Sequence, residues 1–371
     1  MFRSTSSSRR GKKIDYTILA IVSILVLAGL IFLASATGQP KEVLKDQLVK
    51  GVIPGFILFV IMSFFSYQKL KPFAFYLLIL NIILLCVLFV PGLGLVQSSG
   101  GAARWINIGP IGFQPSELLK ITLVLYLAAW FSNSKMERAK SFTKGTIPFA
   151  IICLIIAALL YFQPATSMIL ILILSGGVMY FLSGAPLKHI AVMSISAGVI
   201  CVLAVLFFLS NPDSHRARRI KTFLNPTEDT LNTGYQANQA RIAIGSGGLF
   251  GAGYGRDSDR VSVPKSDNDL IFSVIAQQTG FAGAGFVVVL FAILVARLFW
   301  LARRIRDRFG GMILGGFASI MALQSFFHMA ANSGMIPLTG LPLPFISLGG
   351  TSMIVSLIMM GIAVNISKYS N

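Results

Sequence analysis

Charge is what this chain has least of: only 12% of its 371 residues are Asp, Glu, Lys or Arg, and just 13 are acidic. A soluble domain carries about 25% charged residues, so a water-soluble fold is excluded. Cysteine is also scarce. Cys86, Cys153 and Cys201 each lie inside an apolar run, which excludes a disulfide framework and a spaced metal site and leaves them as small core residues. The glycine-rich stretches match neither the P-loop nor the G-x-G-x-x-G spacing, so a nucleotide site is unsupported. No internal repeat is evident, which weighs against an inverted-repeat transporter. The first apolar run, from about Tyr16, is longer than a signal-peptide core and ends without a small-residue cleavage pattern, so no cleavable leader is expected.

What is present is apolar: 55% of residues are hydrophobic and 29 are Phe. Crossing a bilayer as a helix takes about 20 such residues. Runs of that size fall near 15–36, 48–66, 72–91, 117–133, 146–162, 165–184, 189–210, 270–301, 311–331 and 351–367. The expectation is an all-α polytopic membrane protein of ten transmembrane helices, one domain over 1–371. Lys and Arg concentrate in alternate connections, starting with a basic tail over 1–14 and including Lys69, Lys71, Lys135, Arg138, Lys188, Arg303, Arg304 and Lys368. By the positive-inside rule both termini are cytoplasmic. The net charge of +18 is thereby assigned to inner loops and anionic lipid rather than to nucleic acid.

One outer connection breaks that pattern. The large extracytoplasmic loop between spans seven and eight, 211–269, carries eight basic residues, Arg216, Arg218, Arg219, Lys221, Arg241, Arg256, Arg260 and Lys265. Long loops translocate largely regardless of charge. A basic outer surface beside a membrane suits a phosphate-bearing or anionic lipid substrate; a merely solvated loop is the plainer alternative. Within it, "TGYQANQARIAIGSGGLFGAGYG" has the alternation of an interfacial amphipathic helix followed by glycines that permit tight turns or close backbone approach.

Polar groups at the membrane edge mark candidate chemistry. In "GGAARWINIGPIGFQPSELLK", Glu117 and Lys120 are three residues apart on one helical face, where each can neutralise the other. That pair is either structural or substrate-binding. Pro115, Ser116 and Glu117 suit a helix N-terminus, and Arg104 beside Trp105 is an interfacial anchor or a phosphate ligand. "YFQPATSM" is a turn with no acid or base. In "GMIPLTGLPLPFISLGGTS", residues 334–352, three prolines and several glycines forbid a regular helix, so irregular backbone must sit at membrane depth, buried in protein or facing a wet cavity. His328 reads as a packing residue. Among the outer acids only Asp269 abuts an uninterrupted apolar run. It is a helix-capping residue or a general base.

Taken together and in order, "SAT", "GAARWI", "FQPSELLK", "GYQANQARIAIGSGGLFGAGYG" and "GMIPLTGLPLPFISLGGTS" resemble the SEDS family of peptidoglycan polymerases, the RodA/FtsW type. Glycine and proline spacing near "VPGLG" and "SSGGAARWI" is nearer the FtsW division branch. The resemblance implies a glycosyltransferase of the bacterial cytoplasmic membrane that polymerises lipid II at the outer face, with undecaprenyl-pyrophosphate-linked glycan as donor and a class B penicillin-binding protein as transpeptidase partner. It places the acceptor-activating role on Asp269. Substrate-binding roles fall on Arg104, Gln114, Ser116, Glu117, Lys120, Gln239, Lys265 and Ser347. Arg216 and Arg219 are the chosen cations for the leaving pyrophosphate, and a divalent cation, Mg or Mn, could share that work. The chain departs from the family at Ala165, Lys265, Asp267 and Gln277, where carboxylates or other residues are usual. Two other readings therefore stay open: a flippase for lipid-linked oligosaccharide, and a non-catalytic scaffold of a wall-synthesis complex.

Overall fold

A computed structural model describes residues 14–36, 40–90, 96–99, 102–108, 111–133, 138–210, 215–224, 233–254 and 268–370. Its elements, in order, are α1 (Tyr16–Ala36), α2 (Pro40–Gln47), α3 (Ile53–Phe64), α4 (Leu70–Val87), β1 (Val96–Ser99), β2 (Ala102–Ile108), β3 (Ile111–Phe113) and α5 (Pro115–Phe131). There follow α6 (Ile147–Phe162), α7 (Thr166–Leu182), α8 (Leu187–Ser210), α9 (His215–Leu224), α10 (Thr233–Ser246), α11 (Ile271–Arg304), α12 (Arg308–Asn332) and α13 (Gly350–Ser367). A π-helical turn, Leu48–Val52, runs α2 into α3.

Each of the ten apolar runs in the sequence coincides with a helix. Among the described residues eight helical segments are long and apolar enough to cross a membrane; α7 is apolar but shorter, and α5 carries the Glu117 and Lys120 charges. The protein is an all-α polytopic membrane protein in class. Its packing is uneven. α12 and α13 are buried along most of their length, α12 lying against α11, α7 and α5, and α13 against α3. α8 is the opposite, with none of its described side chains buried. Most of its apolar side chains face outward, with only Ile190 and Met193 of its inner part packed against the core, as expected of a peripheral helix solvated largely by lipid.

Two features depart from a purely helical expectation. Residues 96–113 form a three-stranded antiparallel sheet in the order β1-β2-β3, with Ser99 paired to Ala102 and Ile108 to Ile111. The residues between those pairs are Gly100–Gly101 and Gly109–Pro110, types that suit tight hairpin connections. The strands are too short and too rich in small residues to announce themselves by alternation. The second feature is a break in α11 at Gly280, whose φ of 67° and ψ of −165° are not helical. There the glycine-rich segment after α10 docks onto the broken helix: Ala252 N donates to Gln277 O (2.9 Å), Gly253 N to Gln278 O (3.2 Å), Phe281 N to Gly248 O (2.9 Å) and Ala282 N to Leu249 O (3.1 Å). A side chain at Gly280 would put its Cβ 2.4 Å from Gly251 N. Only glycine serves there.

One end of the bundle is tied by an ion pair between Asp15 and Arg297 (2.8 Å) and by Asp15 N donating to Ser367 Oγ (3.2 Å). Arg303, Arg304 and Lys368 lie at this end. The sheet, α9, α10 and the start of α11 gather at the other.

Candidate active site

Between α12 and α13 the chain runs through 333–349 without helix. Backbone groups freed at this depth need partners from the protein. Side chains supply them. His328 Nδ1 donates to Leu341 O (2.7 Å), Gln324 Nε2 to Pro342 O (2.7 Å), and Ser347 Oγ accepts from Leu343 N (2.8 Å). Gln47 clips the far end, accepting from Gly349 N (3.0 Å) and donating to Ser347 O (3.3 Å). His328 thus serves to hold backbone, as its position inside an apolar helix implies.

The outer part of this segment is a meeting point. Ser167 Oγ donates to Thr339 O (2.7 Å), and Arg219 Nη1, reaching from α9, approaches the same oxygen (3.4 Å). Next along, Gly340 has a φ of +65°, and a Cβ placed on it would lie 3.5 Å from Arg219 Nη2 and 3.8 Å from Asp269 Oδ2. Asp269 and Arg219 therefore face one small volume above Gly340. Arg104 joins from β2, donating Nε to Gln163 O (3.2 Å) and Nη2 to Pro164 O (2.9 Å), the turn between α6 and α7. The charges interact. Burial lowers the Arg219 pKa below the ordinary guanidinium range, and the Asp269 charge opposes that. Arg104 is lowered first by burial and then by the Arg219 charge, with Asp269 again opposing. A lone Asp269 facing two desolvated cations is a carboxylate with a partly compensated charge; two guanidinium groups beside it form a receptor for phosphate oxygens.

Asp269 is held through its backbone. Asn332 Nδ2 donates to Asp269 O (3.0 Å) and to His328 O (2.9 Å), while its Oδ1 accepts from Ser273 Oγ (2.8 Å) and Ser273 N (3.3 Å). One residue earlier, Ser347 Oγ donates to Asn268 O (2.8 Å). Two adjacent carbonyls are thus fixed from α12 and from the broken segment, which sets where the carboxylate points. Asn332 gives no signal in the sequence beyond being polar on an apolar helix.

The other expected site residues fall in three places. Glu117 and Lys120 pair at 2.6 Å, both buried at 3% or less of side-chain exposure, in the first turns of α5. Ser116 is buried beside them, and Gln114 N donates to Thr351 Oγ1 (3.3 Å), which in turn donates to Gly112 O (3.2 Å). This group joins α5 to α13 and β3. Gln239 is half-buried on α10, whose Ala240 and Ala243 pack against Leu270 and Leu338. Ser347 is buried, with its hydroxyl engaged by backbone at both lone pair and proton. Arg216 belongs to α9, but its side chain lies outside the described residues, as do Lys265 and Asp267 altogether. Of the departures, Gln277 is buried and its Nε2 has no partner among the described residues, as is true of the Nε2 of neighbouring Gln278, whose Oε1 accepts from Ser35 Oγ (2.9 Å). A neutral amide is cheaper to bury here than the carboxylate it replaces. Among the described residues no group of three His, Cys, Asp or Glu comes together. The residues at Asp269 fit a resident divalent cation poorly, because Arg219 and Arg104 repel it.

Fold and site define a class: a helical membrane protein whose last inter-helix connection is non-helical and lies beside one carboxylate and two arginines. The FTSW_RODA_SPOVE family, described as "Cell cycle protein", matches residues 15–371, and the chain belongs to it. Similar relatives include a probable peptidoglycan glycosyltransferase FtsW of Geobacter sulfurreducens, 32% identical over 365 residues that make up 96% of this chain and 95% of the relative. Stage V sporulation protein E of Bacillus subtilis is 31% identical, over 96% of this chain and 97% of its own length. A chain in a solved peptidoglycan synthase complex, described as coordinating polymerization and crosslinking, superposes with a TM-score of 0.81 at 27% identity, covering 96% of this chain and 99% of that one. The crystal structure of Thermus thermophilus rod shape determining protein RodA gives 0.70 at 26% identity, over 96% and 98%.

Proposed function

We propose that this protein is a peptidoglycan glycosyltransferase that polymerises lipid II at the outer face of the bacterial cytoplasmic membrane. The observation that carries the reading is Asp269 set opposite Arg219 and Arg104 beside Gly340 of the 333–349 segment. In this mechanism Asp269 accepts the proton of the GlcNAc 4-hydroxyl of lipid II as that oxygen attacks C1 of the chain-end MurNAc. The C1–oxygen bond to undecaprenyl pyrophosphate breaks, and its electron pair leaves with the pyrophosphate. Arg219 and Arg104 supply fixed positive charge as that leaving group develops its own. They do the electrostatic work that a divalent cation would otherwise bring, so any such ion arrives with the pyrophosphate. Glu117, Lys120, Ser116 and Gln114 secure α5 against α13 below the site.

The coincidence of the apolar runs with the helices supports ten membrane spans, and the basic residues near Asp15 and Lys368 support both termini inside. The neighbour in a polymerisation and crosslinking complex supports a class B penicillin-binding protein as partner, and FtsW relatives support a role in division. The test is glycan polymerisation from purified lipid II by the protein with its cognate transpeptidase. Polymer from the parent, and none from Asp269→Ala or Asp269→Asn at matched folding, is the expected result. Polymer from Asp269→Ala at the parental rate would remove Asp269 from the chemistry.

A further inference from the structure

The end of α11 remote from Asp269 carries a group of cations that the glycosyltransfer leaves unused. Arg297 and Arg304 both lie over the ring of Trp300, their Cζ atoms 4.2 Å and 3.9 Å from its centroid. Trp300 and Arg304 are exposed and Arg297 is half-buried, so the stack is part of the surface rather than of the core. Spacings of three and four residues put 297, 300 and 304 on one face of the helix. Arg303 adds another exposed guanidinium in the last turn.

Two like charges sharing one ring repel each other, and the carboxylates at this end do little to offset them. Among the described residues these are Asp15, which accepts from Arg297 Nε (2.8 Å), and Asp307, which caps α12 by accepting from Phe309 N (3.3 Å) and Gly310 N (3.1 Å). A helix C-terminus favours cations in its last turn, which accounts for Arg303 and Arg304. Arg297 lies about two turns earlier and needs another reason. Stacking engages only the face of a guanidinium, so N–H edges remain for the paired bonds that a phosphate accepts.

Trp300 indicates the depth of the stack. An indole settles at the level of the lipid headgroups, and the same face of α11 continues toward the bilayer centre through Ile293 and Val289, 45% and 52% exposed. One row of side chains therefore runs from apolar surface at acyl-chain depth to two guanidinium groups at phosphate depth. A small free anion would meet only the end of this row, whereas a phospholipid meets all of it.

We infer that the Val289, Ile293, Arg297, Trp300 and Arg304 face of α11 is a binding site for an anionic phospholipid of the inner leaflet. Its phosphate takes the N–H edges of the two arginines, and an acyl chain lies along Ile293 and Val289. Only the choice of leaflet rests on the orientation proposed above. The binding itself is independent of the glycosyltransfer.

The test is native mass spectrometry of the full-length protein titrated with phosphatidylglycerol and, in parallel, with phosphatidylcholine of the same acyl chains. The parent should prefer phosphatidylglycerol. Arg304→Gln should weaken that binding about fivefold, the effect of one cation at a lipid surface. Trp300→Leu keeps every charge but removes the ring that holds both arginines, and it should lose a similar factor. Arg306→Gln, an exposed arginine just beyond the helix, removes the same charge off the ring and should bind as the parent does. Equal losses in Arg304→Gln and Arg306→Gln, or parental binding in Trp300→Leu, would reduce the site to a diffuse basic surface and overturn the inference. No preference for phosphatidylglycerol in the parent overturns it as well. So does loss of transpeptidase binding in Trp300→Leu with lipid affinity intact, which would make this face a protein contact. The Arg304→Gln and Arg306→Gln comparison decides alone should Trp300→Leu fail to fold.

Discussion

Replacing Asn332 with alanine should slow the chemistry more than it weakens substrate binding. The truncation removes the donor to Asp269 O at 3.0 Å and the acceptor of Ser273 Oγ at 2.8 Å. Leaving two buried groups without those partners costs roughly 1–3 kcal/mol each, so a fall of about 2–6 kcal/mol in stability is expected before any water enters. The kinetic effect has a separate origin. With its carbonyl released, the Asp269 backbone loses its tie to α12, and a shift of about 1 Å in a reacting group costs on the order of 100-fold. The assay is lipid II polymerisation at saturating and limiting substrate, with the Tm measured in the same detergent. The expected outcome is a loss on the order of 100-fold in kcat with KM nearly unchanged. Ser273→Ala is the control. It removes one bond to Asn332 but keeps Ser273 N and the Asp269 carbonyl bond in place, so it should lower Tm and spare kcat. If Asn332→Ala lowers Tm and leaves kcat at the parental value, Asn332 only clips α12 to α11, and the positioning argument fails.

Gly280→Ala should lower Tm strongly: backbone strain of about 1–3 kcal/mol adds to a Cβ placed 2.4 Å from Gly251 N and 2.5 Å from Leu249 C, whereas Gly245→Ala should leave Tm near the parent. Lys120→Met strands Glu117 in the core and should cost about 3–5 kcal/mol, with Lys120→Met/Glu117→Gln recovering most of it; thermal unfolding of the three proteins decides, and a double variant as unstable as the single would contradict the pairing account. Arg104→Lys should raise KM for lipid II several-fold while folding holds, because an ammonium cannot span the Gln163 and Pro164 carbonyls and still offer a planar fork to phosphate; an unchanged KM would assign Arg104 to holding the turn alone.

The helices were legible because lipid demands a long uninterrupted apolar run, and that demand is written into composition. The Glu117–Lys120 pair was legible for a related reason: two charges in such a run must neutralise each other, and spacing three apart brings them together. The irregular 333–349 segment followed from Pro337, Pro342 and Pro344. Other features had no such local signature. Asn332 meets Asp269 across 63 residues of chain, so its partner is a matter of tertiary packing alone. The break at Gly280 arises from one glycine inside a helix-compatible stretch, and its cause lies in the segment near Gly248 that docks there. Ser347 could be read as a ligand because a hydroxyl in a glycine-rich turn offers the same atoms to substrate and to backbone. The structure spends them on backbone.

The four hydrogen bonds that join the segment after α10 to the broken part of α11 have a mechanical consequence. A helix interrupted by glycine in a membrane usually offers a hinge, since the freed peptide groups allow bending. Here those groups are consumed by a neighbouring stretch of backbone, so bending at Gly280 would require breaking several bonds at once. The joint is therefore stiff, and the outer turns of α11 move only together with α10. A pull on the segment that carries α10 is transmitted to Asp269 as a displacement of a solid body, and a partner that grips this segment has a lever on the Asp269 carboxylate without touching it.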